Sequence, residues 1–393
     1  MSADQGREPE ETTSDTGDDV AVTGRGLGRY ASLTPALVLI YALACALVIG
    51  GVVMLLTGAN PFEAYWSLLT GAVGSPQRIA ASLARATPFI GAALALAFAF
   101  KAGLFNIGAE GQLLVGALAA GWAGTWSWVQ GLPAIAAIPV VLLAGALGGI
   151  VYGGFPGFLK AKTGAHEVIV TIMLNTIALR MYEWLVGSRD PAILVDLGAS
   201  APQSRAIADS AALPALYETP AATLHWGLFI AVAMCAAMWF IMDRTTTGFE
   251  IRTVGLNQSA ATYAGISVSR TWIMVMAVAG GFAGLAGAAE VSGSTGLIPP
   301  PGHFRNFGFD AIAIALLARG NPWGIIPASI LWGALLVGAP TMQREAQLSI
   351  DLVRIVQALI LLFVAADLLI RRMFRIRAED TEPRAALASG WGG

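Results

Sequence analysis

The chain has 393 residues, 56% of them hydrophobic and only 12% charged, with a mean hydropathy of +0.68 and a formal net charge of −2. A soluble domain carries roughly twice that charged fraction, so composition excludes a water-soluble globule, and the near-neutral balance excludes a nucleic-acid binder. The 46 glycines, many in apolar runs, suit closely packed membrane helices, while Cys45 and Cys235 lie in apolar segments and imply neither a disulfide framework nor a metal site.

In chain order, residues 1–30 come first. Asp4, Glu8, Glu10, Glu11, Asp15, Asp18 and Asp19 sit there among Ser, Thr and Gly, with too few apolar residues to form a core. They read as a disordered acidic cytoplasmic tail. No basic run leads at once into an apolar segment, so this is not a signal peptide. Residues 31–370 form one transmembrane domain. A second cytoplasmic tail, 371–393, opens on Arg371, Arg372, Arg375 and Arg377. At a crossing length of about 20 residues, the domain holds about ten spans. They fall near 33–57, 82–101, 107–128, 132–156, 167–187, 224–242, 271–290, 309–319, 323–340 and 350–370. The segment 309–319 is too short to cross alone and reads as a half-helix. The expected fold class is an all-α polytopic membrane protein.

Loop charges orient it. Lys101, Lys160, Lys162, Arg244, Arg252, Arg270 and Arg319 collect on one side with the arginines of both tails. Positive loops face the cytoplasm, which puts both termini inside, 188–223 outside and 243–270 inside.

Three stretches carry polar chemistry. In 104–112, Leu-Phe-Asn-Ile-Gly-Ala-Glu-Gly-Gln, polar groups and glycines stand between two apolar spans. Asn106 can cap a helix there, and Glu110 then lies in the first turn, where the helix dipole favours an anion. A carboxylate at membrane depth is expensive and marks function. Its expected place is inside the protein, holding the turn through backbone or a neighbouring helix. At the start of the fifth span, Glu167, Thr171 and Asn175 recur at i, i+4 and i+8. They make one polar stripe on an apolar helix, which faces protein or water and not lipid. In the inside loop, Asn257 is a good N-cap, 258–264 can form two helical turns, and Gly265 can end them. The plain reading of such a loop is an amphipathic connector. A short helix outside the bilayer with an exposed Tyr263 also fits a partner's groove.

Asp310 and Arg319 flank the short eighth segment, as a helix-start carboxylate and a loop arginine or as solute contacts. His166, His225 and His303 are far apart in sequence and match no metal spacing. Of the three lysines only Lys162 precedes Ser or Thr, and Ala161 stands where a phosphate-binding loop needs Gly. No GxSxG and no Cys–His pair is visible, so no catalytic residue is assigned. A membrane-embedded enzyme would have to draw its acid and base from Glu110, Glu167 and Asp310. A passive channel is the other competing class.

The run Phe105-Asn106-Ile107-Gly108-Ala109-Glu110-Gly111-Gln112 resembles the signature of permease subunits of ABC importers, in the branched-chain amino acid, ribose and nucleoside superfamily. Glu167 to Asn175, Val254-Gly255-Leu256-Asn257 with Ala260, Ala261, Ala264, Gly265 and Ile266, and Gly308-Phe309-Asp310 with the apolar run after it resemble three further motifs of that family. The likeness covers about 33–370 and is greatest to the branch that imports nucleosides or simple sugars. Branched-chain amino acids or other small solutes are the alternative within the superfamily.

The resemblance implies a bacterial plasma-membrane permease that binds no cofactor itself. Solute would arrive from an extracytoplasmic lipoprotein, and a separate ATP-binding subunit would use the ATP. The second permease would be a different, shorter chain, giving a heterodimer set in membrane lipid. The implied solute pathway runs past Glu167, Thr171, Asn175 and Asp310. Asn106, Gly108, Glu110, Gly111 and Gln112 form a structural motif. The 257–264 helix becomes the coupling helix, with Gly255 and Gly265 turning its ends, Asn257 capping it, and Ala260, Ala261 and Ala264 allowing close approach to the ATPase.

Overall fold

The computed structural model describes residues 34–219, 222–349 and 351–365. Both predicted tails, 1–30 and 371–393, lie outside the described residues. Fourteen helices follow in order: α1 (Thr34–Leu56), α2 (Pro61–Val73), α3 (Pro76–Lys101), α4 (Ala109–Gly124), α5 (Ser127–Gln130), α6 (Ala134–Thr163), α7 (Glu167–Gly187), α8 (Gly227–Arg244), α9 (Thr246–Leu256), α10 (Gln258–Tyr263), α11 (Val268–Glu290), α12 (Phe307–Leu317), α13 (Pro322–Glu345) and α14 (Asp351–Ala365). A hairpin of β1 (Ala215–Glu218) and β2 (Thr223–His225) is the exception to the helical pattern.

Six of these helices are long and apolar enough to cross a membrane among the described residues: α3, α6, α7, α8, α13 and α11 with its continuation to Thr295. Two predicted spans are shorter than a bilayer is thick. At 1.5 Å per residue, α4 with 16 residues reaches about 24 Å and α12 with 11 about 16 Å. They are half-helices, as the sequence suggested for α12 but not for α4.

The helix α2 and the first turns of α3 escaped the sequence reading. In α2, Asn60 accepts from Phe62 N and Pro61 opens the helix. In α3, Ser75 accepts from Arg78 N and Pro76 follows, so the helix begins six residues before the apolar run. Proline at the first helical position costs no hydrogen bond. Hydropathy alone overlooks such starts because their first turns are polar.

The core is made by small residues. Gly145, Gly149, Gly153 and Gly157 lie one helical turn apart on α6 and face α11. A Cβ at Gly149 would collide with the carbonyl of Gly280, and one at Gly280 with the carbonyl of Gly149. With no side chain between them, the two backbones touch, which is how helices attract in lipid, where there is no hydrophobic drive. The wholly buried α3 centre, from Phe89 to Ala99, packs against α11 and runs antiparallel to α13. There Thr341 meets Arg78, Gly333 meets Ser82 and Ala86, and Gly320 meets Lys101.

Candidate functional site

The 104–112 stretch folds back from the end of α3. Gly103, at φ +70°, supplies the left-handed turn. Asn106 is 0% exposed, and its side chain exchanges two 3.1 Å hydrogen bonds with that of Gln112. Its Oδ1 also accepts from Gly108 N at 3.1 Å. The expectation that Asn106 caps the helix is therefore corrected. Gly108 occupies the N-cap position, and Asn106 ties the turn two residues upstream.

The stripe on α7 closes on this turn. Asn175 Oδ1 accepts from Gly111 N at 2.9 Å, and its Nδ2 donates to the Ile107 carbonyl at 2.8 Å. Thr171 is fully buried against Gly108, where an added Cβ would press on it at 3.1 Å. Glu167 takes Lys160 Nζ at 2.7 Å and the Phe105 N–H at 3.4 Å. Glycine at 108 and 111 lets the turn approach this closely.

Glu110 joins two helix starts. It sits in the first turn of α4, and its two carboxylate oxygens accept from Asn306 N and Gly308 N, each at 3.1 Å, at the start of α12. Two dipole ends thus face one carboxylate. Gly308 has no room for a Cβ, which would strike the Glu110 backbone. From this meeting point the half-helices diverge. Gly124, at the end of α4, accepts from Ala208 N in the 188–226 segment. The turn after α12 brings Gly320 beside Lys101.

A cavity of about 690 Å3 opens at the α4 end. Its polar lining is Gln77, Arg78, Arg85, Glu290, Ser294 and His303, with Thr219 and Arg344 at its wall. Glu290 ends α11, is 5% exposed, and lies 2.9 Å from His303 Nε2 through Oε1. An ionised carboxylate only accepts, so the imidazole N–H donates. The Arg85 guanidinium carbon stands 4.7 Å from the centre of the Phe307 ring, which stacks on Phe89 at 4.8 Å. Arg78 donates to Thr341 Oγ1 at 2.9 Å and to the Gly71 carbonyl at 3.2 Å. A wider π-helical turn, Val291–Thr295, follows Glu290 and carries Ser294 into the lining. Beside that turn His225 is buried. Its Nδ1 accepts from Gly227 N, and burial pushes the imidazole below its ordinary value, against the pull of Glu290.

Glu167, Thr171, Asn175 and Asp310 are absent from this lining. The first three meet the turn instead, because its backbone supplies their partners; Asp310 is half-buried in the first turn of α12. Trp184, an aromatic side chain further along the same helix, is 54% exposed at its far end. Sequence reasoning missed Glu290, His303 and Arg85. The signal for Glu290 was present: it is the one acid inside the apolar run Val275–Val291. His303 gave none, since only the chain's return after Pro301 brings it to Glu290.

The opposite end holds α9 and α10. Asn257 caps α10, its Oδ1 accepting from Ala260 N at 2.9 Å, and Gly265 ends the turn with φ +81°. Tyr263 is 97% exposed and Ser259, Ala260 and Ala264 are exposed beside it. Two expectations are corrected here. Ala261 is 0% exposed, because it is the residue that seats α10 on the rest of the chain, so it cannot meet a partner. Gly255 does not turn the chain; it is helical in α9, and its bare Cα rests on the Lys101 carbonyl. Among the described residues, no group of three or more His, Cys, Asp or Glu could hold a metal ion.

A family model described as branched-chain amino acid transport system / permease component matches residues 78–365. The chain belongs to this family. It is 40% identical over 342 residues to the guanosine ABC transporter permease protein of Bacillus subtilis, covering 86% of this chain and 95% of that one. It is 36% identical to the glucose ABC transporter permease protein of Haloferax volcanii, covering 92% and 94%, and 36% identical to the nucleoside ABC transporter permease protein of Lactococcus lactis, covering 86% and 92%. This is an ABC importer permease subunit, a multi-pass membrane protein and not itself an enzyme. Such a subunit works with an ATPase and a binding protein.

Proposed function

We propose that this permease translocates a nucleoside, or a simple sugar, delivered from outside by a binding lipoprotein. The observation that carries the reading is the placing of two features at opposite ends of α3. Gln77 and Arg78 open α3 at the polar cavity, and Lys101 closes it beneath Gly255 of α9. Twenty-six helical residues separate those ends by about 39 Å, roughly a bilayer with its interfaces. One end can receive solute while the other receives a partner's motion. The nucleoside and glucose permeases among its relatives support the choice of solute.

Lys101, Lys162 and Arg270 gather at the α10 end, which supports a cytoplasmic position for that end under the positive-inside rule and an outside position for the cavity. Both termini then lie inside, as an even count near ten crossings would require. The solute passes from the cavity along the half-helices α4 and α12, whose junction Glu110, Asn106, Gln112 and the α7 stripe hold. The exposed face of α10 (Asn257, Ala260, Ala264) is the coupling surface for the ATPase, which uses the ATP. This chain binds no cofactor. It pairs with a second, different permease chain in the lipid.

Proteoliposomes holding all the subunits test this. Labelled guanosine or glucose should accumulate with ATP inside, and omitting the lipoprotein, the second permease or the ATPase should abolish it. Entry of solute to equal concentration through this chain alone, without ATP, would make it a channel and overturn the reading.

A further inference from the structure

We propose that the cavity is itself a solute-binding station, in which Arg85 carries a flat heterocyclic ring, the Glu290 carboxylate accepts from the solute's O–H or N–H groups, and His303 positions that carboxylate. This rests on the permease reading above and names the residues and the solute chemistry. The fitting ligand is an uncharged nucleoside.

Size comes first. Ligand sites enclose about 300–1,000 Å3 and combine apolar walls with a few convergent polar groups. This cavity holds about 690 Å3, with Ala81, Ala84, Leu336, Val337 and Pro340 as apolar wall. Chemistry comes next. A guanidinium is planar and stacks on aromatic faces, bases included. Phe307 lies 4.7 Å from the Arg85 guanidinium carbon and is itself stacked on Phe89, so the guanidinium is held over a fixed, buried ring. Arg85 also lines the cavity, where a second flat ring can stack on it.

Glu290 supplies the hydrogen bonding. A carboxylate that is 5% exposed at the end of a membrane helix is costly and needs a reason. One oxygen meets His303, and the residue lines the cavity. It can therefore accept from ribose hydroxyls or from a base N–H. Charge sets the class of ligand. At the floor one guanidinium offsets one carboxylate. Arg78 and Arg344, nearer the helix ends, already donate to Thr341, Gly71 and Pro340. The lining as a whole holds Arg78, Arg85 and Arg344 against Glu290, so the carboxylate bars a phosphate only at the floor, where it meets the solute's hydroxyl groups.

The test uses the complete importer in proteoliposomes with labelled guanosine. Arg85→Lys keeps the charge and loses the plane; Glu290→Gln keeps the shape and loses the charge. Each should raise the KM for guanosine about tenfold, the scale of one stacked base or one charged hydrogen bond. Arg85→Lys should leave any glucose uptake at its original KM. Unlabelled guanosine should compete, and guanosine 5′-monophosphate should not. Correct assembly is checked by co-purification with the ATPase. Should either variant fail to assemble, Val337→Cys serves instead. A water-soluble maleimide should label that wall position, and guanosine should slow the labelling while the monophosphate should not. Unchanged KM in both assembled variants, equal competition by the monophosphate, or labelling indifferent to guanosine each overturn the station. Failure of the wild-type importer to accumulate any nucleoside or sugar would instead overturn the proposed function.

Discussion

Asn175 shows how one side chain serves two backbone groups. Its amide pairs with Gly111 N–H and the Ile107 carbonyl, using its carbonyl oxygen as acceptor and its NH2 as donor. Asn175→Leu leaves both groups buried without a partner, at about 1–3 kcal/mol each. We expect lower thermal stability of the purified permease and reduced uptake, with membrane insertion and partner assembly intact; unchanged uptake would show the brace to be dispensable. Glu110→Ala removes two charge-assisted bonds from the start of α12 and should cost about 3 kcal/mol or more. Glu110→Gln, with one acceptor oxygen left, should recover part of it, as thermal unfolding of the two variants would show. At this scale the sequence marked side chains that the fold brings together, among them Asn106, Glu110, Gln112 and Asn175, but not always their partners. Glu110 was legible as an internal carboxylate at a helix start. That its bonds go to Asn306 and Gly308 depends on a return of the chain almost 200 residues later, which no local pattern encodes.

Periodicity revealed most of the long elements, because α6, α7, α8, α11 and α13 are uniformly apolar over a bilayer's length. It misjudged α4 and α2 for opposite reasons. The apolar run 107–128 is long enough to cross but breaks at Thr125, where Ser127–Gln130 turns away. The helix Pro61–Val73 carries Glu63 and two other polar side chains, and so reads as a loop on hydropathy, although Asn60-Pro61 is a good start signal. The glycine rows on α6 and α11 were visible as composition, but their pairing was not. Their contact yields a prediction at this scale. Gly149→Val inserts three carbons where the Gly280 carbonyl already lies. Overpacking a tight contact costs about 1–3 kcal/mol and more where backbone must move. Folded yield from membranes should fall sharply. Gly154, whose nearest neighbour across the interface is a flexible distance away at 3.5 Å, should accept Ala with little loss in the same assay.

For the whole molecule, the proposed function has energy enter at one end and act at the other, and it assigns the first task to α10. It is capped at Asn257 and ended at Gly265, and it presents Ser259, Ala260, Tyr263 and Ala264 outward while Ala261 anchors it inward. In that proposal motion reaching α10 would pass to α9, whose Gly255 lies directly on the Lys101 carbonyl, and so to α3, which runs the full length to the cavity. The two faces of α10 therefore predict two different failures. Ala260→Arg adds bulk only on the outer face. It should leave the permease folded and the lipoprotein's solute affinity unchanged, while uptake and transport-stimulated ATP hydrolysis fall together. Tyr263→Asp should do the same by placing an exposed charge where a flat ring stood. Ala261→Arg should instead unseat α10 and lower the stability of the permease even without its ATPase. A cysteine replacing Ser259 should crosslink to the ATPase. If Ala260→Arg left ATP hydrolysis coupled to uptake, or the Ser259→Cys side chain were labelled only from outside the cell, α10 would be a plain connector and the coupling surface would lie elsewhere.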